Sequence, residues 1–198
     1  MIKLLVGFNI TVACSALVCA QAQVVYQPLD YRERWHQYLE DTWQSGGFYV
    51  AALATAANDQ ATRIPPEWRL DAAGFGERTA SWIAIFGIQE SIHHGGAAAL
   101  GFDPRYLACQ CRGFLRRSAH AVKWSVVTKN SSGQARPDLP VIAGAYGSGV
   151  VSTFWYPAPH KPLADGVTAG NQQMLFVAGI NVIKEFAPEL KRALRLKR

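Results

Sequence analysis

Two long stretches of this chain carry no charge. From Leu139 to His160, and again from Gly166 to Ile183, there is no Asp, Glu, Lys or Arg. Apolar segments of that length must be covered, either by protein or by lipid. In the first, Ala143, Gly144, Ala145, Gly147, Ser148 and Gly149 set small-xxx-small pairs on more than one helical face. That pattern lets helix backbones approach closely. In the second, Asn171, Gln172, Gln173 and Asn181 interrupt the apolar run, and such groups are costly in hydrocarbon unless they face protein. The combination predicts a Gly-rich apolar helical hairpin in the C-terminal half, buried in the protein's own core. Insertion of 139–157 and 166–184 into a membrane, with Trp155 and Tyr156 at the interface, is the alternative.

The remaining sequence is ordinary for a globular protein. It has 198 residues, of which 49% are apolar and 17% charged. That suffices for one domain with a real core and excludes wholesale disorder. The net charge is +6, and Lys191, Arg192, Arg195, Lys197 and Arg198 crowd the C-terminal end. These cations suit the negative pole of a terminal helix, and they also suit anionic lipid headgroups.

Residues 1–22 have the form of a secretory signal: Lys3, an uncharged apolar run from Leu4 to Ala20, and Ala20-Gln21-Ala22 as a cleavage site. Cleavage leaves Gln23 first and 23–198 as a single helical domain, in the periplasm or outer envelope. It also removes Cys14 and Cys19. The retained Cys109 and Cys111 are either incidental or a small structural loop, since a redox pair wants C-x-x-C at a helix N-terminus.

Helical signals recur along the rest. Asp30 and Glu33 form a capping box, followed by Tyr31, Trp35, Tyr38 and Leu39 at helical spacing. Gly46-Gly47 ends that run. Phe48 to Asn58 is Ala-rich and suits a second helix packed on the first, and Pro65-Pro66 forces a loop. Phe75 to Leu100 reads as a long helix burying Trp82, Ile85, Phe86, Ile88 and Ile92, with Gly95-Gly96 as an early stop. Phe114 to Thr128 reads as another, with Leu115, Ala119, Val122 and Val126 on one stripe. Lys129 to Leu139 is a polar connector. Ala164 to Phe186 is the next helix, and Pro188 is placed to start a last short one with Leu190 and Leu194 turned inward. Strand alternation is nowhere sustained. The expected fold class is therefore all-α, an irregular multi-helix bundle after a cleavable signal peptide.

Motifs for chemistry are sparse. Lys129 and Arg136-Pro137 match the first signature of the type 2 phosphatidic acid phosphatases, where the Lys and Arg hold the substrate phosphate. The later signatures fail: Tyr146-Gly147-Ser148-Gly149 lacks the histidine acid, and His160 has Asp165 five residues on, not four. Without those histidines there is neither nucleophile nor leaving-group acid. Glu90-Ser91-Ile92-His93-His94 offers metal donors, with His36 and Glu40 as the other spaced pair. A helix C-terminus at Gly95-Gly96 accounts for His93 and His94 without a metal. His120 beside Ser118 makes no triad.

Several stretches together resemble a family of uncharacterised exported bacterial proteins. They are Gly74-Phe75-Gly76-Glu77-Arg78, Asp103-Pro104-Arg105-Tyr106, the Arg117–Ala121 helix leading to Val127-Thr128-Lys129, Trp155-Tyr156-Pro157, and Asn181-Val182-Ile183-Lys184-Glu185-Phe186 with Pro188-Glu189-Leu190. The resemblance implies a signal peptide, a helical body and an envelope location, with no activity to carry over.

Those stretches also have a physical reading. Asp103 caps a turn fixed by Pro104, Arg105 is free to bridge helices, Trp155 and Tyr156 cover the bundle end, and Asn181 makes a buried hydrogen bond. The expectation is thus a non-enzymatic envelope protein with a structural or interaction role. Its partners are membrane lipid or another envelope protein rather than nucleic acid, and neither cofactor nor metal is expected. Candidate contact residues are Asp103, Arg105, Tyr106, Trp155, Tyr156, Lys129 and Arg136. A phosphatase or lipid-phosphate binder using Lys129 and Arg136 is the alternative.

Overall fold

A computed structural model describes residues 26–157 and 161–194. The expected signal segment 1–22, His160 and the last cations, Arg195, Lys197 and Arg198, lie outside the described residues. The fold is all-α, with one small hairpin. The helices are α1 (Tyr31–Thr42), α2 (Gly46–Thr62), α3 (Ala72–Leu100), α4 (Phe114–Lys123), α5 (Leu139–Ser152) and α6 (Pro162–Ala193). Strands β1 (Val127–Lys129) and β2 (Ala135–Pro137) pair antiparallel between α4 and α5.

Local chemistry starts each element. The Asp30–Glu33 capping box forms as expected, with Asp30 Oδ1 accepting from Glu33 N at 2.7 Å and Glu33 Oε2 accepting from Asp30 N at 2.8 Å. Asp71 caps α3 and Asp138 caps α5. Gly46-Gly47 begins α2 rather than merely ending α1, and α2 packs along α3, not α1.

Helix α3 is the axle of the bundle, touching α1, α2 and α5. Phe48, Ala52 and Ala56 of α2 meet Trp82, Ile85 and Phe86 of α3, and Phe86 stacks on Phe176 of α6 at 4.8 Å between centroids. Ile88 and Ile92, expected in the same face, are only half-buried. Gly95-Gly96 does not stop α3, because Gly96 packs against Pro140 of α5 and the helix runs on to a left-handed Gly101. Such packing outweighs the roughly 1 kcal/mol that each helical glycine costs.

The Gly-rich hairpin is α5 followed by α6, and its small residues face protein. A Cβ on Gly144 would stand 2.6 Å from Gln89 O, and one on Gly149 would stand 2.5 Å from Gly166 O. No helix among the described residues is long and apolar enough to cross a membrane.

Three features of the C-terminal half were not legible in the sequence. The helix expected over Phe114–Thr128 ends at Lys123, and the polar connector folds into the β1–β2 hairpin. Asn130 Oδ1 accepts from Ser132 N and Gln134 N to shape its turn, and Gly133 supplies a φ of 78°. Secondly, the stripe Leu115, Ala119, Val122 and Val126 faces outward. Leu115 is 79% exposed, while Ala121 on the opposite side is fully buried. Thirdly, Pro188 sits inside a continuous α6 instead of starting a new helix, and Leu190 and Leu194 are exposed.

Candidate functional site

Glu90, His93 and His94 lie at i, i+3 and i+4 on α3, so all three side chains leave one face of the helix. They are in mid-helix, not at a fraying end, so the helix-terminus explanation for the histidines fails. Both histidines are buried. Two carboxylates converge from other elements: Asp41 from the last turn of α1 and Asp138 from the N-cap of α5. His36 and Glu40, the other spaced pair, are exposed.

The distances are informative. His93 Nδ1 stands 3.4 Å and His94 Nε2 3.6 Å from the same oxygen, Glu90 Oε2. His94 Nε2 also lies 3.8 Å from Asp41 Oδ2, and His93 Nε2 lies 3.6 Å from Asp138 Oδ2. Neither nitrogen of His94 has a hydrogen-bond partner, nor does His93 Nε2. Orphaned buried donors of this kind cost roughly 1–3 kcal/mol each. Donor atoms of Glu90, His93 and His94 all lie within 4.8 Å of one another.

The electrostatics follow from the crowding. Burial penalises charge on His93, but Asp138 and Glu90 outweigh it and push the imidazole up to about 10. Burial and the charge on His93 push His94 down. Burial raises the Glu90 carboxyl, yet His93, His94 and Lys184 leave it net below the ordinary range. Lys184 Nζ lies 3.7 Å from Asp41 Oδ1. The site therefore collects negative charge that concentrates positive charge on one imidazole.

Glu90, His93, Asp41 and Asp138 form one wall of a cavity of about 310 Å³. Phe48, Phe86, Val141, Phe176 and Ile180 make its apolar wall, and Arg105 and Tyr106 also border it.

The other expected contact residues scatter. Arg105 pairs bidentately with Asp103 and donates to Gln27 O, so it clamps the N-terminal segment and does not bridge helices. Tyr26 Oη donates to Asp103 Oδ2 at 2.9 Å. Tyr106 Oη donates to Glu185 Oε2 at 2.6 Å, where Cys109 N and Arg117 also donate. Cys109 and Cys111 are joined in a disulfide. Trp155 Nε1 donates to Ser81 Oγ, and Tyr156 stacks on Trp68. Asn181 makes the expected buried bond, from Nδ2 to Ser125 Oγ at 3.0 Å.

Lys129 and Arg136 do not converge. The register pairs Arg136 with Thr128 and Lys129 with Ala135, adjacent rungs whose side chains leave opposite faces. Lys129 lies over the Tyr26 ring, and Arg136 donates to Gln134.

Sequence reasoning passed over Asp41 and Asp138, which join the Glu90 group only through tertiary packing. It gave Arg78 no role of its own. That buried guanidinium donates to five backbone carbonyls, those of Ile64, Pro65, Trp68, Arg69 and Gly74, and to Gln60 Oε1. No protein-family model, curated protein or solved structure matches this chain.

Proposed function

We propose that this is an exported envelope protein that binds a divalent transition metal at Glu90, His93 and His94, with Asp41 as a further donor. The observation that carries the reading is His94: it is buried, both ring nitrogens lack partners, and Nε2 faces two carboxylates. Tetrahedral ligands at about 2.0–2.1 Å from zinc stand about 3.3–3.4 Å apart. The 3.4 and 3.6 Å separations from Glu90 Oε2 are close to that edge. Two imidazoles and two carboxylates suit zinc and its neighbours better than magnesium or calcium. Asp138 Oδ2, 3.6 Å from His93 Nε2, supports the arrangement, because a carboxylate behind a ligating histidine raises its basicity. Bound metal would displace the proton that the cluster otherwise holds on His93.

The test is direct. Protein loaded with zinc and dialysed should retain about one ion per chain by elemental analysis and melt at a higher temperature than metal-free protein. His94→Ala should abolish both effects. Substoichiometric zinc with no thermal shift in the wild type would defeat the reading. Export is tested separately, by fractionating cells and sequencing the N-terminus, which should begin at Gln23.

A further inference from the structure

Helix α4 is built the wrong way round for a soluble bundle. At 100° per residue, Leu115, Ala119 and Val122 share one face of α4, and Val126 lies in the turn that follows the helix. The helix face is solvent-exposed, Leu115 79% and Val122 54%, and Val126 is 41% exposed as well. The opposite side carries Arg117, Ala121 and Trp124, and it is this side that packs on α6. Phe114, beside the stripe, rests on Phe186 at 5.2 Å yet stays 68% exposed.

The charge around the stripe is of one sign. Between Asp103 and Asp138 the sequence has no Asp or Glu, whereas Arg116 and Lys123 flank the stripe on α4 and Arg112 is exposed just ahead of the helix. The nearby acids on α6, Glu185 and Glu189, are both paired with Arg117.

We infer that α4 docks on an anionic lipid surface. It would lie in the interface plane, with Leu115, Val122 and Val126 among the acyl-chain boundary and Arg112, Arg116 and Lys123 against the headgroups. A helix with cations beside a bare apolar stripe suits such a surface by charge complementarity and by burial together. A nucleic acid would use the cations and leave the leucine and valines wet. This docking needs no membrane-spanning helix and is independent of the metal site.

A fluorophore placed on α4 tests it. Ala119→Cys, in a background with Cys14→Ser and Cys19→Ser, takes a polarity-sensitive dye, and the same dye on Arg63→Cys at the far end of α2 is the control. Vesicles of about one-third phosphatidylglycerol in phosphatidylcholine should blue-shift the dye at 119 and leave that at 63 unchanged. Pure phosphatidylcholine should shift neither. Leu115→Ser with Val122→Ser should weaken partitioning at least about tenfold and remove the shift, with an unchanged circular dichroism spectrum. Arg116→Gln with Lys123→Gln should remove the dependence on anionic lipid.

The proposal fails if the dye at 119 stays unshifted while the protein sediments with vesicles. It also fails if the shift appears without lipid as protein concentration rises, which would assign the stripe to a second copy. Equal binding to duplex DNA and vesicles, insensitive to the serine substitutions, would likewise overturn it.

Discussion

His93 Nε2 stands 3.6 Å from Asp138 Oδ2, while the other oxygen of that carboxylate accepts from Val141 N at 3.1 Å and caps α5. One side chain thus ties the start of a core helix to the orientation of a candidate ligand.

Asp138→Asn should separate those two roles. Asparagine caps a helix about as well as aspartate, so the melting temperature should change little. The loss of the charge behind His93 should weaken zinc binding about 10- to 100-fold. A competition titration against a chromophoric chelator measures this, and an unchanged affinity would mean that Asp138 does not act on the site.

Glycine-to-alanine changes should have opposite signs at two helical positions. Gly179 has open space where a Cβ would go, so Gly179→Ala should stabilise by up to about 1 kcal/mol. At Gly144 the new Cβ would meet the Gln89 carbonyl at 2.6 Å, so Gly144→Ala should destabilise by about 1–3 kcal/mol. Urea unfolding of both variants checks the pair. Stabilisation at Gly144 would show that α3 and α5 are further apart than described.

Arg78 is 1% exposed and holds the 64–69 loop through its whole guanidinium fork. Arg78→Ala should cost about 3–5 kcal/mol, since it strands several buried carbonyls at once. Arg78→Lys should recover less than half of that loss, because an ammonium has fewer donors and no planar fork. Chemical denaturation, together with protease sensitivity of the loop, reads out both.

Acid should loosen α4. Burial raises the Glu185 carboxyl, but hydrogen bonds from Arg117, Tyr106 and the Cys109 N–H outweigh it and hold the group below the ordinary carboxylate range. A carboxylate whose folded pKa lies below its unfolded value adds stability that is complete above the unfolded pKa. That stability is lost as pH falls through the folded value. Unfolding free energy should therefore decline below about pH 4.5. The decline should be shallower in Glu185→Gln, and parallel curves for the two proteins would exclude this origin.

Features set by near neighbours were legible in the sequence. The Asp30–Glu33 box, the loop at Pro65-Pro66 and the Trp82, Ile85 and Phe86 face depend on residues a turn or two apart. Periodicity also found the stripe on α4, but it says only which residues share a face. The choice of inward face rests on Arg117 meeting Glu185, which is 68 residues away. Gly95-Gly96 and Pro188 misled for a similar reason. Each weakens a helix locally, but Gly96 packs on Pro140 of α5 and Arg117 of α4 bridges Glu185 and Glu189 on either side of Pro188, contacts that no short window contains. In the metal cluster, Glu90, His93 and His94 were visible as a motif, whereas Asp41 arrives on α1 and Asp138 at the start of α5, 49 and 48 residues from Glu90 in opposite directions along the chain.

Glu185 also imposes an order of events on synthesis. Its donors, Tyr106, Cys109 and Arg117, leave the ribosome 68 to 79 residues before it does. Until Glu185 follows, the Tyr106 hydroxyl, the Cys109 N–H and the Arg117 Nε lack the carboxylate they share. A chain halted just short of this glutamate would thus carry α4 with its polar side unmoored, an amphipathic arm whose greasy edge is free to find whatever surface is near.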